Sequence, residues 1–216
     1  MTIQEQLTVT AAALQNNHMQ VFCVDTKEQV ADVVRSLLHE GDTVATGGSR
    51  SLDEAGVTEL LRSGAYRFLD RTVADITPAQ KKDIDRKALS ADVYLCSANA
   101  VTMRGELYNV DGNGNRVAAL CYGPDSVIVV IGCNKITADM TEAKHRVKTI
   151  AAPLNAKRLH CRTYCEETGV CVAADGEFCT EGCNSDDRIC STYVVLGKQR
   201  QRNRIKVILV GEPLGF

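Results

Sequence analysis

The sequence has no run approaching the ~20 apolar residues of a membrane helix, no tract of one residue type, no internal repeat and no low-complexity linker. Glycine and proline together account for 20 of 216 residues, so collagen-like repeats and long disorder are excluded as well. Charge of one sign is lacking too. With 25 Lys+Arg against 27 Asp+Glu, no global field recruits nucleic acid or an anionic bilayer. The opening MTIQEQLTVTAAALQNNHMQ has neither the basic start nor the continuous apolar stretch of an export signal. The expectation is therefore a cytoplasmic protein in a reducing environment, without a transmembrane segment. Only four histidines occur, His18, His39, His145 and His160, none beside a recognisable nucleophile, so no hydrolytic triad is legible. The spaced glycines of a dinucleotide fold and the Gly-Lys-Ser/Thr of a P-loop are also missing. At 44% hydrophobic and 24% charged residues, what remains is one globular domain with a sizeable core.

Cysteine, by contrast, is abundant and unevenly placed. Six of the ten fall between Cys161 and Cys190, where an even spread would put about 1.4. Cys23, Cys96, Cys121 and Cys133 stand singly in or beside apolar segments and read as small buried hydrophobes. The clustered set, with Gly169, Gly176 and Gly182 between its members, is the soft-ligand composition of a structural zinc or an iron-sulfur site. Neither the C-x₂-C pairs of a zinc ribbon nor the ferredoxin spacing occurs. Disulfides are the competing reading, disfavoured by the expected compartment but open to air oxidation.

Apolar spacing predicts two amphipathic helices in the helical N-terminal part, about 1–40, one through Ile3 to Leu14 and one through Val30 to Leu38. Strand, glycine turn and helix follow over Thr43–Thr46, Gly47-Gly48-Ser49 and Val57–Leu61. Thr77-Pro78 opens a helix, Asp92–Cys96 reads as a buried strand, and Asp111–Asn115 as the turn of a hairpin-like excursion. Ser126–Ile131 is continuously apolar and β-branched, which suits a central strand covered on both faces. A helix over Asp139–Ile150 and closing strands at Tyr193–Leu196 and Ile205–Val210 complete a three-layer α/β fold with a central, mostly parallel sheet. Its expected core is Val44, Val93, Leu95, Ile128, Val130, Val195 and Ile208.

Ligands of such folds bind beyond the carboxyl ends of the strands. Gly47, Gly48 and Ser49 follow one strand there, Asn99 and Thr102 another, and Lys135 the central one. Their amides, hydroxyls and ammonium suit a small oxygenated anion, although turn glycines and strand-end caps are the plainer reading. Glu106 is a lone candidate nucleophile or base near this crevice, more often solvated in such a position. Lys198, Arg200, Arg202, Arg204 and Lys206 would line one face of a hairpin, with no interleaved aromatic residues to stack on bases.

Val44–Ser49, Asn99–Thr102, Asp111–Val117, Gly123-Pro124-Asp125, Gly132–Ile136 and Ala151–Leu159, in this order over nearly the whole chain, resemble the lactate-utilisation (LUD) domain family. The resemblance implies a fold akin to the sugar-phosphate isomerase and coenzyme A transferase superfamily, and a bacterial role in oxidation of L-lactate to pyruvate with other lactate-oxidation subunits as partners. The family's cysteine signature is carried by Cys165, Cys171, Cys183 and Cys190, which the resemblance makes the ligand candidates for an iron-sulfur cluster or, alternatively, zinc; a site left empty in an aerobic preparation is the third alternative. Cys161 and Cys179 are additions to it. No catalytic residue carries over. Two functions therefore stand side by side. One is an accessory or electron-transfer component of lactate oxidation. The other is an enzyme or sensor for a sugar phosphate, carboxylate or coenzyme A, with a structural metal site. Either is compatible with a homo-oligomer.

Overall fold

The computed structural model describes residues 1–216. Its centre is a six-stranded, all-parallel sheet in the order β1 (Gln20–Val24), β10 (Ile205–Val210), β7 (Ser126–Gly132), β4 (Val93–Cys96), β2 (Thr43–Thr46), β3 (Arg67–Leu69). β7 is internal, as its unbroken apolar run predicts, and its side chains alternate between two cores. Val127, Val129 and Ile131 face a cluster with Leu7 and Leu14 of α1 (Ile3–Asn16) and Ala119 and Leu120 of α6 (Asn115–Cys121). Ile128 and Val130 face the opposite one, built from α2 (Val30–Leu37), α3 (Arg50–Glu54) and α4 (Val57–Leu61). The Thr77-Pro78 signal opens α5 (Pro78–Lys87), where Thr77 and Gln80 form a capping box. No helix is long and apolar enough to cross a membrane.

A second, four-stranded sheet stands beside the first. Its order is β8 (Ile136–Thr137), β5 (Ala100–Thr102), β6 (Leu107–Asp111), β9 (Thr192–Leu196). The chain enters it after β4 and again after β7, so two neighbouring parallel strands both hand over to it. Its outer face packs on one long helical segment made of α7 (Met140–Arg146), a π-helical turn at Val147–Ala151 and α8 (Ala152–Leu159). Most of the cysteine-rich stretch then runs as turns around α9 (Tyr164–Thr168) before β9.

Several expectations are corrected here. The N-terminal part is not purely helical, because β1 adds an edge strand to the main sheet. The β5–β6 hairpin turns at residues 103–106, and Asp111–Asn115 instead joins β6 to α6. Val195 is 49% exposed, since β9 belongs to the second sheet and its side chain faces outward, while Val44, Val93, Leu95, Ile128, Val130 and Ile208 are buried. Cys23 and Cys121 are exposed, and only Cys96 of the four isolated thiols is fully buried. The basic stretch forms no common face. Arg204 turns inward to donate to the carbonyls of Ala119, Leu120 and Pro124, and Lys206 donates to Ser126 Oγ.

Candidate functional site

The loops following β2, β4 and β7 lie at the carboxyl ends of three adjacent strands and open onto one cleft of about 360 Å³, lined mostly by polar side chains. Gly48, Ser49, Asn99 and Lys135 all border it. Gly47 lies beneath, buried. A Cβ there would stand 3.0 Å from Tyr94 Oη and 3.4 Å from Arg116 Cδ, so glycine lets the β2 turn close over the arginine. Ser49 caps α3, accepting from the amide of Leu52. Thr102 does not reach the cleft. It is wholly buried on β5, where its hydroxyl donates to Glu106 at 2.6 Å. Glu106 is thereby engaged away from the cleft as well.

Six basic side chains line the cleft: Arg50, Arg71, Lys81, Arg116, Lys135 and Arg158. Its one acidic side chain, Asp111, is paired with Arg116 at 2.6 Å. Arg50 and Arg71 have carboxylate partners, Glu54 and Asp85, that are not part of the lining. Sequence reasoning anticipated Lys135 alone, because the other five look like ordinary solvated cations on helices and turns.

Arg116 organises the floor. Its guanidinium makes six hydrogen bonds, to the carbonyls of Ser97 and Val110, to Asn109 and Asn99 Oδ1, and twice to Asp111. Asn99 Oδ1 also accepts from the amide of Val110, so the β4 loop and β6 are held together through one side chain. Arg146 donates from α7 to the carbonyls of Asn134 and Asn99, joining the β7 and β4 loops. Burial lowers its pKa to about 10.

Lys135, 2% exposed, ends the 3-10 turn after β7 and sends its Nζ to Ser51 Oγ at 2.8 Å and Ser97 Oγ at 2.9 Å. Burial, aided by the like charges of Arg146 and Arg116, lowers its pKa to about 7.

A second, smaller cavity of about 30 Å³ adjoins the cleft. Cys165, Cys171, Cys183 and Cys190 all line it, together with Cys179, while Cys161 does not. Basic side chains fasten the segment around it. Lys148 donates to the carbonyls of Ala173 and Phe178, and Arg188 to those of Thr180, Cys183 and Cys190. All ten cysteines are free, and no group of three or more His, Cys, Asp or Glu side chains has the arrangement of a formed metal site. The thiols converge in chemistry rather than in coordination distance. Burial pushes Cys190 up to about 12, with the neighbouring thiols of Cys165 and Cys171 adding to the shift. Burial also raises Cys165, against a hydrogen bond from Thr163 that lowers it. Thiols protonated in this way release protons when they bind a metal. The donor set suits a soft ion, and the space suits one ion or one or two waters.

The LUD domain family model matches residues 7–210. No curated protein matches the chain. Among solved structures, a DUF162 family protein from Deinococcus radiodurans is 15% identical over 97% of this chain and 99% of its own, with a TM-score of 0.53, a likeness of fold. The beta subunit of eIF2B from Chaetomium thermophilum is 21% identical over 54% of this chain and 44% of its own, with a TM-score of 0.36. The corresponding delta subunit is 19% identical over 51% and 48%, with a TM-score of 0.33.

Proposed function

The chain belongs to the LUD domain family, and on that premise we propose that it serves lactate utilisation by holding a small anionic metabolite, a carboxylate or a sugar phosphate, in the cationic cleft. The observation that carries this reading is the gathering of six basic side chains around about 360 Å³ against one paired carboxylate. That volume lies in the range of small-molecule sites. The residues that hold the ligand are Lys81, Lys135 and Arg158, with Arg50 and Arg71 at the rim, the amide of Gly48 and the hydroxyl of Ser49. Arg116 and Arg146 position the loops that carry them. Calorimetric titration with L-lactate, pyruvate, a sugar phosphate and coenzyme A tests it. Saturable binding of at least one, weakened tenfold or more in Arg158→Ala, is expected. Absence of binding by all four would sink the reading.

A second reading is supported by the five thiols around one cavity. Here Cys165, Cys171, Cys183 and Cys190 hold a soft metal centre, and the protein acts beside other lactate-oxidation subunits. An iron-sulfur centre would supply one-electron transfer, and zinc would supply closure of the segment. The chain's own contribution is the anchoring by Lys148 and Arg188, whose positive charges offset those of thiolates. Metal analysis and a visible spectrum of anaerobically purified protein decide between the two metals. Protein holding neither iron nor zinc would remove this reading and leave the anion site.

A further inference from the structure

Lys135 differs from the other cations of the cleft, because it is almost wholly buried and its amine sits between two hydroxyls. No ion pair involves it. The charged or titratable groups that act on its ammonium are Arg146 from α7 and Arg116 from α6, with Glu54 of α3 and Cys96 of β4 opposing them. An ordinary lysine amine is protonated up to a pKa near ~10.4. This one titrates near neutrality. Both of its hydrogen-bond partners are hydroxyls, Ser51 Oγ and Ser97 Oγ. A hydroxyl accepts from an ammonium and donates to a free amine, so the pocket serves both states. Each hydroxyl also has a carbonyl to return to, Leu214 for Ser51 and Ala98 for Ser97. A desolvated amine beside other cations is the setting in which lysine acts as a nucleophile.

We propose that Lys135 forms a reversible imine with a small anion that also carries a carbonyl group, a 2-oxo acid or a phosphorylated aldose or ketose, seated in the cleft. This rests on reading the cleft as an anion site. The amine lone pair attacks the carbonyl carbon, and the oxygen takes up a proton to give a carbinolamine. Loss of water then forms the C=N bond. One amine, one carbonyl compound and one proton thus give one iminium and one water. Ser97 and Ser51 stand within hydrogen-bond reach of the nitrogen and can carry the protons, while Arg158 and Arg50 hold the anionic end. The iminium withdraws electrons from the neighbouring carbon, so that a C–H bond there becomes acidic.

The test is reductive trapping on the full, unsubstituted chain. Protein is incubated near neutral pH with cyanoborohydride and either pyruvate or dihydroxyacetone phosphate, then read by intact mass and peptide mapping. The expected result is one adduct per chain, equal in mass to the probe less one oxygen and located on Lys135 ahead of exposed lysines such as Lys198. Inorganic phosphate should suppress it. The probe that labels faster identifies the class. Exchange of the pyruvate methyl protons into deuterated water provides a second readout, expected in the unsubstituted protein and lost in Lys135→Arg. Labelling spread over surface lysines, or no adduct, overturns the proposal. Calorimetry on the same probes separates the two claims, since binding without an adduct leaves the anion site standing and no binding removes both.

Discussion

Gly112 and Ile189 touch where the two cavities meet: a Cβ on Gly112 would lie 3.3 Å from Ile189 Cα, and Ile189 lines both the cationic cleft and the thiol cavity. The β6 turn and the cysteine-rich segment therefore share a wall.

Enlarging Gly112 should disturb both cavities together. Gly112→Val is expected to push the 188–190 backbone outward, which weakens anion binding and speeds modification of Cys190 by a thiol reagent. Titration calorimetry and timed alkylation with mass detection check the pair. If one changes and the other does not, the shared wall is not functional.

Arg116 carries six hydrogen bonds from a largely buried position. Arg116→Ala leaves Asp111 without its partner and should destabilise the protein by about 3 kcal/mol. Arg116→Lys keeps the charge but not the planar fork, and should fall between the two. Denaturant unfolding of the three proteins gives the ranking. A lysine variant as stable as the parent would mean that charge alone matters.

The depressed pKa of Lys135 makes stability depend on pH. Between its folded value of about 7 and the ordinary lysine value near ~10.4, the unfolded chain binds the extra proton, so stability rises with pH over that window, by up to about 1.4 kcal/mol per pH unit. Below pH 7 the penalty for the buried charge is fully present. Lys135→Met should flatten this rise and be more stable than the parent at pH 6, because Ser51 and Ser97 keep their carbonyl acceptors. Parallel stability curves for the two proteins between pH 6 and 10 would refute the shift.

Thr10 offers a simpler check. It is fully buried on α1, and its hydroxyl has no hydrogen-bond partner. Thr10→Val keeps the shape and removes the unsatisfied oxygen, so unfolding should require about 1 kcal/mol more. A lower melting temperature would show that the hydroxyl is satisfied in solution.

Much of the main sheet is legible in the sequence because its signals are local. The β-branched run of β7 can only be buried on both sides, and the polar residues after β2, β4 and β7 follow from where parallel strands end. The second sheet leaves weaker traces. β9 looks like another closing strand until its partner, β6, is known, and only then does Val195 point outward. Thr102 fails for a related reason: it lies inside β5, past the loop that faces the cleft. Lys81 and Arg158 carry no signal in the sequence, because nothing in a helical pattern says that the helix faces a cavity, and α8, which holds Arg158, lies beyond the helix expected over Asp139–Ile150. That Cys165, Cys171, Cys183 and Cys190 belong to one segment is legible in their clustering, whereas the place of Cys179 beside them on the same cavity wall is visible only in three dimensions.

The π-helical turn between α7 and α8 acts as a phase shifter. An α-helix advances about 100° per residue, and one wide turn inserts a residue's worth of rotation without breaking the rod. Val147, Lys148 and Ala152 face the thiol cavity, while Ala151, Asn155 and Arg158 face the cleft. A single rod thus meshes with two cavities like a gear cut with two sets of teeth. Shortening residues 147–151 by one would turn α8 by about 100° and swing Ala152 off the thiol cavity together with Asn155 and Arg158 off the cleft. The fit of α8 to both cavities is written into the length of that turn.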